Sequence, residues 1–373
     1  MHGHHRFLYF LRNRELNELY ASIAIRSFTM SMIAIFIPIY LLETGYSIAW
    51  VFLFYAIFSA FHALFSVPAA KISSRFGFKH CMLFSMPLLI LFHIMLYTLE
   101  THGWPLYLLA AVLGVSSALF WLAYHTDFAK FSKKKNRGKE IGVAKMFISV
   151  FHVAGPVIGG IILATLGFQA LFLIVSSLLF FSIIPLFFSD DVHEPINFSI
   201  RQIFTDQKLK SYMAFIGYGV ESGVAKIIWP VFIFFSILNS FTALGLVETI
   251  SLFSSLLVTI IVAKYSDIKR RLVLRLGAML NAIVWVIKAT VTTALQVYVF
   301  DSLYGMTKMI KEIPFDAMGY DEANRTNIIE YIAFREIVLH LGRIMLLISM
   351  ILISSLVAGL LFGAGASLLY LAF

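Results

Sequence analysis

The chain has 373 residues, of which 60% are hydrophobic and only 13% charged. A water-soluble domain carries about 25% charged residues, so this surface suits lipid rather than water. The single Cys81 excludes an internal disulfide and a cysteine-rich metal site. A formal net charge of +9 would suit nucleic acid, but the basic residues are confined to alternate short loops, which argues against it.

From the start, Met1–Tyr20 holds Arg6, Arg12, Arg14, Glu15 and Glu18, with no A-x-A-like cleavage site closing a short apolar region. Residues 1–19 are therefore expected to be a cytoplasmic tail, and His2, His4 and His5 within it are expected to be solvated rather than metal-bound. Apolar runs follow near 20–42, 47–70, 80–99, 104–128, 140–165 and 168–188, and again near 211–237, 244–264, 272–292, 295–318, 327–352 and 355–372. About 20 apolar residues cross the hydrocarbon layer, and lipid offers the backbone no partners, so each run predicts a transmembrane helix. Between the sixth and seventh runs, Ser189–Ser211 is polar, with Asp190, Asp191, Glu194, Pro195 and Asp206. Residues 189–210 are read as a cytoplasmic linker, and Ile196–Phe204 as a short amphipathic helix on the membrane face.

The loops fix an orientation. Glu43–Ser47, Thr98–Trp104, Thr165–Ala170, Asn239–Leu244, Thr290–Gln296 and Ile353–Leu356 contain no Lys or Arg. The alternate loops hold Lys71, Arg75 and Lys79; then Lys130, Lys133, Lys134, Lys135, Arg137 and Lys139; then Arg201, Lys208 and Lys210; then Lys264, Lys269, Arg270, Arg271 and Arg275; and last Lys308, Lys311 and Arg325. Cytoplasmic loops are enriched in Lys and Arg, so both termini are expected in the cytoplasm of a cell-membrane protein, with the basic face against anionic headgroups.

The two halves echo each other. Ile37-Pro38 answers Trp229-Pro230, Ala70-Lys71 answers Ala263-Lys264, Ser73 answers Ser266, Asn136-Arg137 answers Asn324-Arg325, and His152 answers His340. These matches, in order and at nearly one offset, predict duplicated six-helix units, 20–188 and 211–373, in parallel orientation.

These residues resemble the major facilitator superfamily. Its first signature is a glycine followed by D-R-x-G-R-K between helices 2 and 3; Arg75, Gly77 and Lys79 match it, with Ala70 for the glycine and Ser74 for the acid. The echo keeps the acid as Asp267, followed by Arg270 and Arg271. Arg137-Gly138-Lys139-Glu140-Ile141-Gly142, continuing to Gly155-Pro156-Val157-Ile158-Gly159-Gly160, resembles the helix 5 signature of members that export solutes by antiport, with Phe151 at its middle glycine. The resemblance implies an all-α polytopic membrane protein of twelve transmembrane helices, arranged as two six-helix bundles about a pseudo-two-fold axis. It also implies a secondary transporter working by alternating access, with helices 1, 4, 7 and 10 lining the central cavity. Independently of the family, Gly77 permits a tight reversal, Gly155, Gly159 and Gly160 permit close helix approach, and Pro156 favours a kink.

Ionisable residues inside spans are costly and mark a cavity or a partner. The apolar runs contain Arg26, Lys145, Lys226, Lys288, Arg335 and Arg343, the acids Glu221, Glu248, Asp301, Glu330 and Glu336, and His62, His93, His152 and His340. Glu336, His340 and Arg343 share one helical face by their i, i+4, i+7 spacing, as do Lys145, Ser149 and His152. The first set suits either a proton relay or a static ion pair. On the cavity assignment that the resemblance implies, Asp301 and Glu221 are the leading proton or substrate-cation carboxylates, and Arg26 and Lys226 the candidates for an anionic substrate group. Lys308 is expected to reach the cytoplasmic interface, and Lys288 and Glu248 to reach water at the outer ends of their helices.

No nucleophile elbow, phosphate-binding loop or H-E-x-x-H motif occurs, so no enzyme is expected, nor a cofactor or metal. The reading is a proton-coupled transporter, acting as a monomer and exporting a small amphipathic organic solute. The alternatives are a symporter or uniporter of an organic anion, and a membrane protein of the same framework that does not transport.

Overall fold

The computed structural model describes residues 14–132, 134–187, 197–205 and 207–373. The expectations for His2, His4 and His5, for Lys133, and for linker residues Asp190, Asp191, Glu194, Pro195 and Asp206 lie outside them. Among the described residues the regular structure is all helical.

The main helices are α1 (Arg14–Ile33), α2 (Ile37–Glu43), α3 (Ile48–Phe76), α4 (Phe78–Tyr97), α5 (Leu106–Phe131), α6 (Arg137–His152) and α7 (Gly155–Ile183). They continue as α8 (Leu209–Gly223), α9 (Trp229–Ile233), α10 (Phe241–Lys288), α11 (Ala294–Ala323), α12 (Ile328–Ile353) and α13 (Leu356–Leu369). Eight stretches are long and apolar enough to cross a bilayer. Two of these, Arg137–Ile183 and Phe241–Lys288, are double length, and each is interrupted by a non-helical residue, Gly167 and Lys269. The expected twelve therefore include α11, which is too polar for that measure, and α13, which is short.

Local sequence explains the breaks. Proline lacks a donor and clashes with the carbonyl four residues back. Pro38 accordingly opens α2 after the interruption that ends α1, and Pro156 opens α7 after α6. At the second break Thr249 of α10 repairs the backbone: its hydroxyl donates to the Val153 carbonyl at 3.0 Å and accepts the Val157 N–H at 3.2 Å. Gly77, at φ 95°, makes the reversal between α3 and α4. The linker departs from expectation. Its described part holds a 3-10 turn, Ile200–Gln202, not a helix over 196–204.

In the first part of the chain α1 packs on α7, α3 on α5, and α4 on α5 and α7; in the second α8 packs on α12 and α13, and α10 on α11 and α13. The two parts meet where α3 lies on α12 and where α6 and α7 lie on α10. Glycines set these approaches. A methyl group on Gly159 would stand 1.9 Å from the Met32 carbonyl oxygen, and one on Gly160 2.5 Å from that of Phe241.

The apolar interior forms two layers. One contains Phe36, Tyr40, Phe54, Trp229, Trp285 and Leu346, and the other Ala70, Phe120, Phe215, Ile313, Tyr320 and Phe334. Between them, helix after helix, runs a belt of buried polar residues: Arg26 and Thr29 on α1, Ser59, His62 and Ser66 on α3, Glu221 and Ser222 on α8, His340 and Arg343 on α12. Such a belt midway along membrane-crossing helices is expensive unless its members pair or meet water.

Candidate functional site

At the basic end, Asp267 of α10 accepts hydrogen bonds from the backbone N–H groups of Gly138 (2.7 Å) and Lys139 (3.1 Å), the first turn of α6. A carboxylate there satisfies orphan donors and complements the helix dipole. Arg270 pairs with both Asp267 (3.4 Å) and Asp321, and Arg137 reaches Asp321 at 2.5 Å, so α6, α10 and α11 are latched together. The other repeat has a serine, Ser74, at the position of the acid. The Ser74 hydroxyl donates to the Lys71 carbonyl of its own helix at 2.9 Å. The corresponding helix, α12, is capped by its own Asn327, whose side-chain oxygen accepts the N–H of Ile329 at 3.2 Å. Arg75 is exposed and Lys79 half-buried beside Gly77. Gly155 faces α1, where a methyl group would stand 1.8 Å from Ser31 Oγ.

The belt contains three networks. In the first, Glu221 pairs with Lys311 at 2.8 Å and accepts hydrogen bonds from Asn281, Trp285 and Tyr304 at 3.2, 3.3 and 3.0 Å. In the second, Asp301 pairs with Lys288 at 3.0 Å and accepts from Trp229 Nε1 at 2.8 Å. The Lys288 ammonium lies 4.0–4.5 Å from the ring centres of Trp229, Tyr304 and Trp285, a cation–π cage. All four charged groups are at most 2% exposed as residues. Thus Glu221 and Asp301 are sequestered in ion pairs. Two expectations are corrected here: Lys288 does not reach water, and Lys311 is a fully buried part of α11 rather than a loop cation.

The third network crosses between the two parts of the chain. Lys145 of α6 lies 3.0 Å from both Glu312 and Asp316 of α11; Arg335 joins Asp316 (3.6 Å) to Glu336 (2.5 Å). His62 of α3 approaches Glu336 at 3.2 Å, His125 of α5 approaches it at 3.9 Å, and His125 bonds the Tyr320 hydroxyl at 2.7 Å. The partner of Glu336 is thus its chain neighbour Arg335, not Arg343. Arg343 instead donates to Ser222 Oγ at 2.8 Å, while His340 stacks on His62.

What remains is a set of cations without counter-ions. Among the described residues Lys226, Lys308, Arg26 and Arg343 have no carboxylate within 4.0 Å. Arg26 is buried, with its guanidinium 3.5 Å from the Phe120 ring centre. Lys226 lies on the π-helical turn Val224–Ile228 between α8 and α9, and is exposed although its charged neighbours, Arg343, Lys308, Glu312 and Glu248, come from three other helices. Lys308, Glu248 and His152 are half-buried, and His152 has Lys308 and Lys226 as its charged neighbours. Lys226 is thus accessible although charged groups of three other helices lie around it in the middle of the fold. Lys308 neighbours Lys226 and His152 in the belt instead of reaching the basic interface as expected, and Glu248 lies there too, among Lys308, Asp301, Lys288 and Lys226.

Sequence reasoning missed His125, Glu312, Asp316, Asp321 and Asn281. Only Asp321 lies beyond the apolar run 295–318; His125, Glu312, Asp316 and Asn281 lie inside the runs 104–128, 295–318 and 272–292. The period-3.6 placement of Glu312 and Asp316 on one face of α11 was the available signal.

Comparison with known proteins agrees with this architecture. The human organic anion transporter MFSD10 (TETRAN) superimposes with a TM-score of 0.71 at 10% identity, covering 96% of this chain and 99% of that one, a likeness of fold alone. The uncharacterized protein YqgE of Bacillus subtilis (strain 168) is 25% identical over 277 residues, which is 69% of this chain. The match spans 63% of that relative's length. The family profile described as Major Facilitator Superfamily matches residues 19–306, more than half of the chain. A multi-pass helical fold, two echoing repeats and that match lead to one conclusion: the chain belongs to the Major Facilitator Superfamily of membrane transporters.

Proposed function

We propose that the protein is a secondary transporter whose solute is a small amphipathic organic anion, bound around Lys226 and Lys308. The observation that carries this reading is that, among the described residues, neither lysine has a carboxylate partner while the belt lysines Lys145, Lys288 and Lys311 each have one. A cation in mid-span without a counter-charge marks a functional site by default, and an anionic solute supplies the missing counter-charge when it binds. A non-transporting role is disfavoured because a closed scaffold would pair every belt charge, whereas Lys226 and Lys308 have no carboxylate partner among the described residues.

Proton coupling passes through His152 and Glu248, the titratable groups beside these lysines, while Glu221 and Asp301 stay paired. The basic end, with both termini, faces the cytoplasm of the cell membrane, and the 20–188 and 211–373 bundles rock about the belt as a monomer. Export is the favoured direction, since Arg137–Gly160 follows the antiporter-like pattern and its glycines set the approach of α7 to α1 and α10.

Uptake into proteoliposomes tests this. A sulfonated or carboxylated amphiphilic dye should be carried with saturation, an imposed pH gradient should drive it, and a cationic analogue should be ignored. Lys226→Met should raise the half-saturating concentration by about tenfold or more, the factor for 1.4 kcal/mol, and His152→Gln should uncouple transport from the pH gradient. Equal transport of anionic and cationic dyes, or no effect of Lys226→Met, overturns the reading.

A further inference from the structure

His62 of α3 and the pair Glu336 and His340 of α12 come together where the two repeats meet. Glu336 and His340 are one helical turn apart, so their side chains share a face. One donor atom of each of the three residues lies within 4.8 Å of the others. All three are at most 3% exposed. The two imidazole rings stack with centres 3.7 Å apart and planes 21° apart. Nδ1 of His62 and Nδ1 of His340 are both buried without a hydrogen-bond partner among the described residues. Buried polar atoms are satisfied in the great majority of cases, and here two orphans of the same type occur within one cluster. Proton sharing between His62 and Glu336 explains one ring atom and leaves the others unaccounted for.

We propose that His62, Glu336 and His340 form a binding site for a divalent transition-metal ion of the Zn2+ class, which bridges the two repeats at the belt. Imidazole and carboxylate donors select such ions over Ca2+ and Mg2+. A tetrahedral site with metal–nitrogen bonds of ~2.0–2.1 Å places donors about 3.3 Å apart, so side-chain rotation within the present cluster brings them into range. Arg335 holds Glu336 Oε1 at 2.5 Å and leaves Oε2, 3.2 Å from His62 Nε2, on the metal side. Asp316, 3.6 Å from Arg335, offsets that cation. Ligation needs neutral imidazoles and an ionised carboxylate, so affinity falls with falling pH. Because the donors are buried, the ion enters only when α3 and α12 separate, and once bound it holds them together. The site is independent of which solute is carried.

The test uses the full-length chain in lipid nanodiscs, with any affinity tag removed and His2, His4 and His5 replaced by Ser, so that only internal ligands remain. Zn2+ should raise the melting temperature, bind at one ion per chain by equilibrium dialysis, and bind more weakly as pH falls. Co2+ should give the visible d–d absorption of a low-symmetry nitrogen–oxygen site. His62→Gln, His340→Gln and Glu336→Gln should each weaken Zn2+ binding by more than about tenfold, the loss that removal of even an outer-sphere partner produces. His152→Gln, outside the cluster, should leave it unchanged. The Co2+ spectrum of the chain with His62 intact needs none of these variants to fold. No Zn2+ binding at millimolar concentration, or equal binding by the three cluster variants, overturns the proposal.

Discussion

Lys288 and Lys226 show how the same residue type serves two ends. Lys288 is fully buried, paired with Asp301 and caged by three aromatic rings, whereas Lys226 has only other helices' charges around it and water in reach. Removing one partner of a buried pair strands the other, at a cost of about 3–5 kcal/mol, while replacing both with apolar groups is close to neutral. Asp301→Asn should therefore lower the melting temperature sharply, and adding Lys288→Met to the same chain should restore most of the loss, read by thermal unfolding in detergent. If Asp301→Asn leaves stability unchanged but abolishes proton-linked uptake, Asp301 is a carrier after all and the pair is not structural. That Asp301 and Glu221 stand in spans was legible in the sequence. That they are spent on lysines, one of them a lysine assigned to a loop, was not, because ion pairing depends on which faces meet.

At the level of elements, the two repeats have diverged at their basic turns. Asp267 spans from α10 to the N-terminus of α6, and Arg270 and Arg137 converge on Asp321 of α11. In the first repeat Ser74 bonds within its own helix. The basic end is thus latched on the α6–α10–α11 side through carboxylates. Asp267→Asn keeps the size but weakens the acceptor for two backbone donors and removes the charge that complements the α6 dipole. Spin labels at exposed Lys135 and Lys264, introduced as cysteines with buried Cys81 left to itself, should then report a longer and broader distance than in the parent. An unchanged distance distribution would show that Asp267 does not hold this end shut. The turn at Gly77 and the helix break at Pro156 were both readable from residue type alone. The rescue of that break by Thr249 needed the packed structure, since ninety-odd residues separate it from Val153 and Val157.

For the whole molecule, alternation of basic and neutral loops predicts orientation. A fluorescent protein fused after Phe373 should mature and fluoresce, as it does only in the cytoplasm, and a periplasmic phosphatase at the same place should stay inactive. The reverse pattern would place the latch of Asp267 on the outer face. Composition and periodicity by themselves determined that the chain is helical, lipid-embedded and duplicated, because a bilayer admits few solutions for long apolar runs. Motif residues carried it as far as the superfamily. Only the tertiary structure decided which ionisable groups are spent on each other and which are left facing water. His62 meets Glu336 across 274 residues of chain. Coulomb interaction and metal ligation act over a few ångströms, a distance that sequence spacing does not encode once two separate helices are involved.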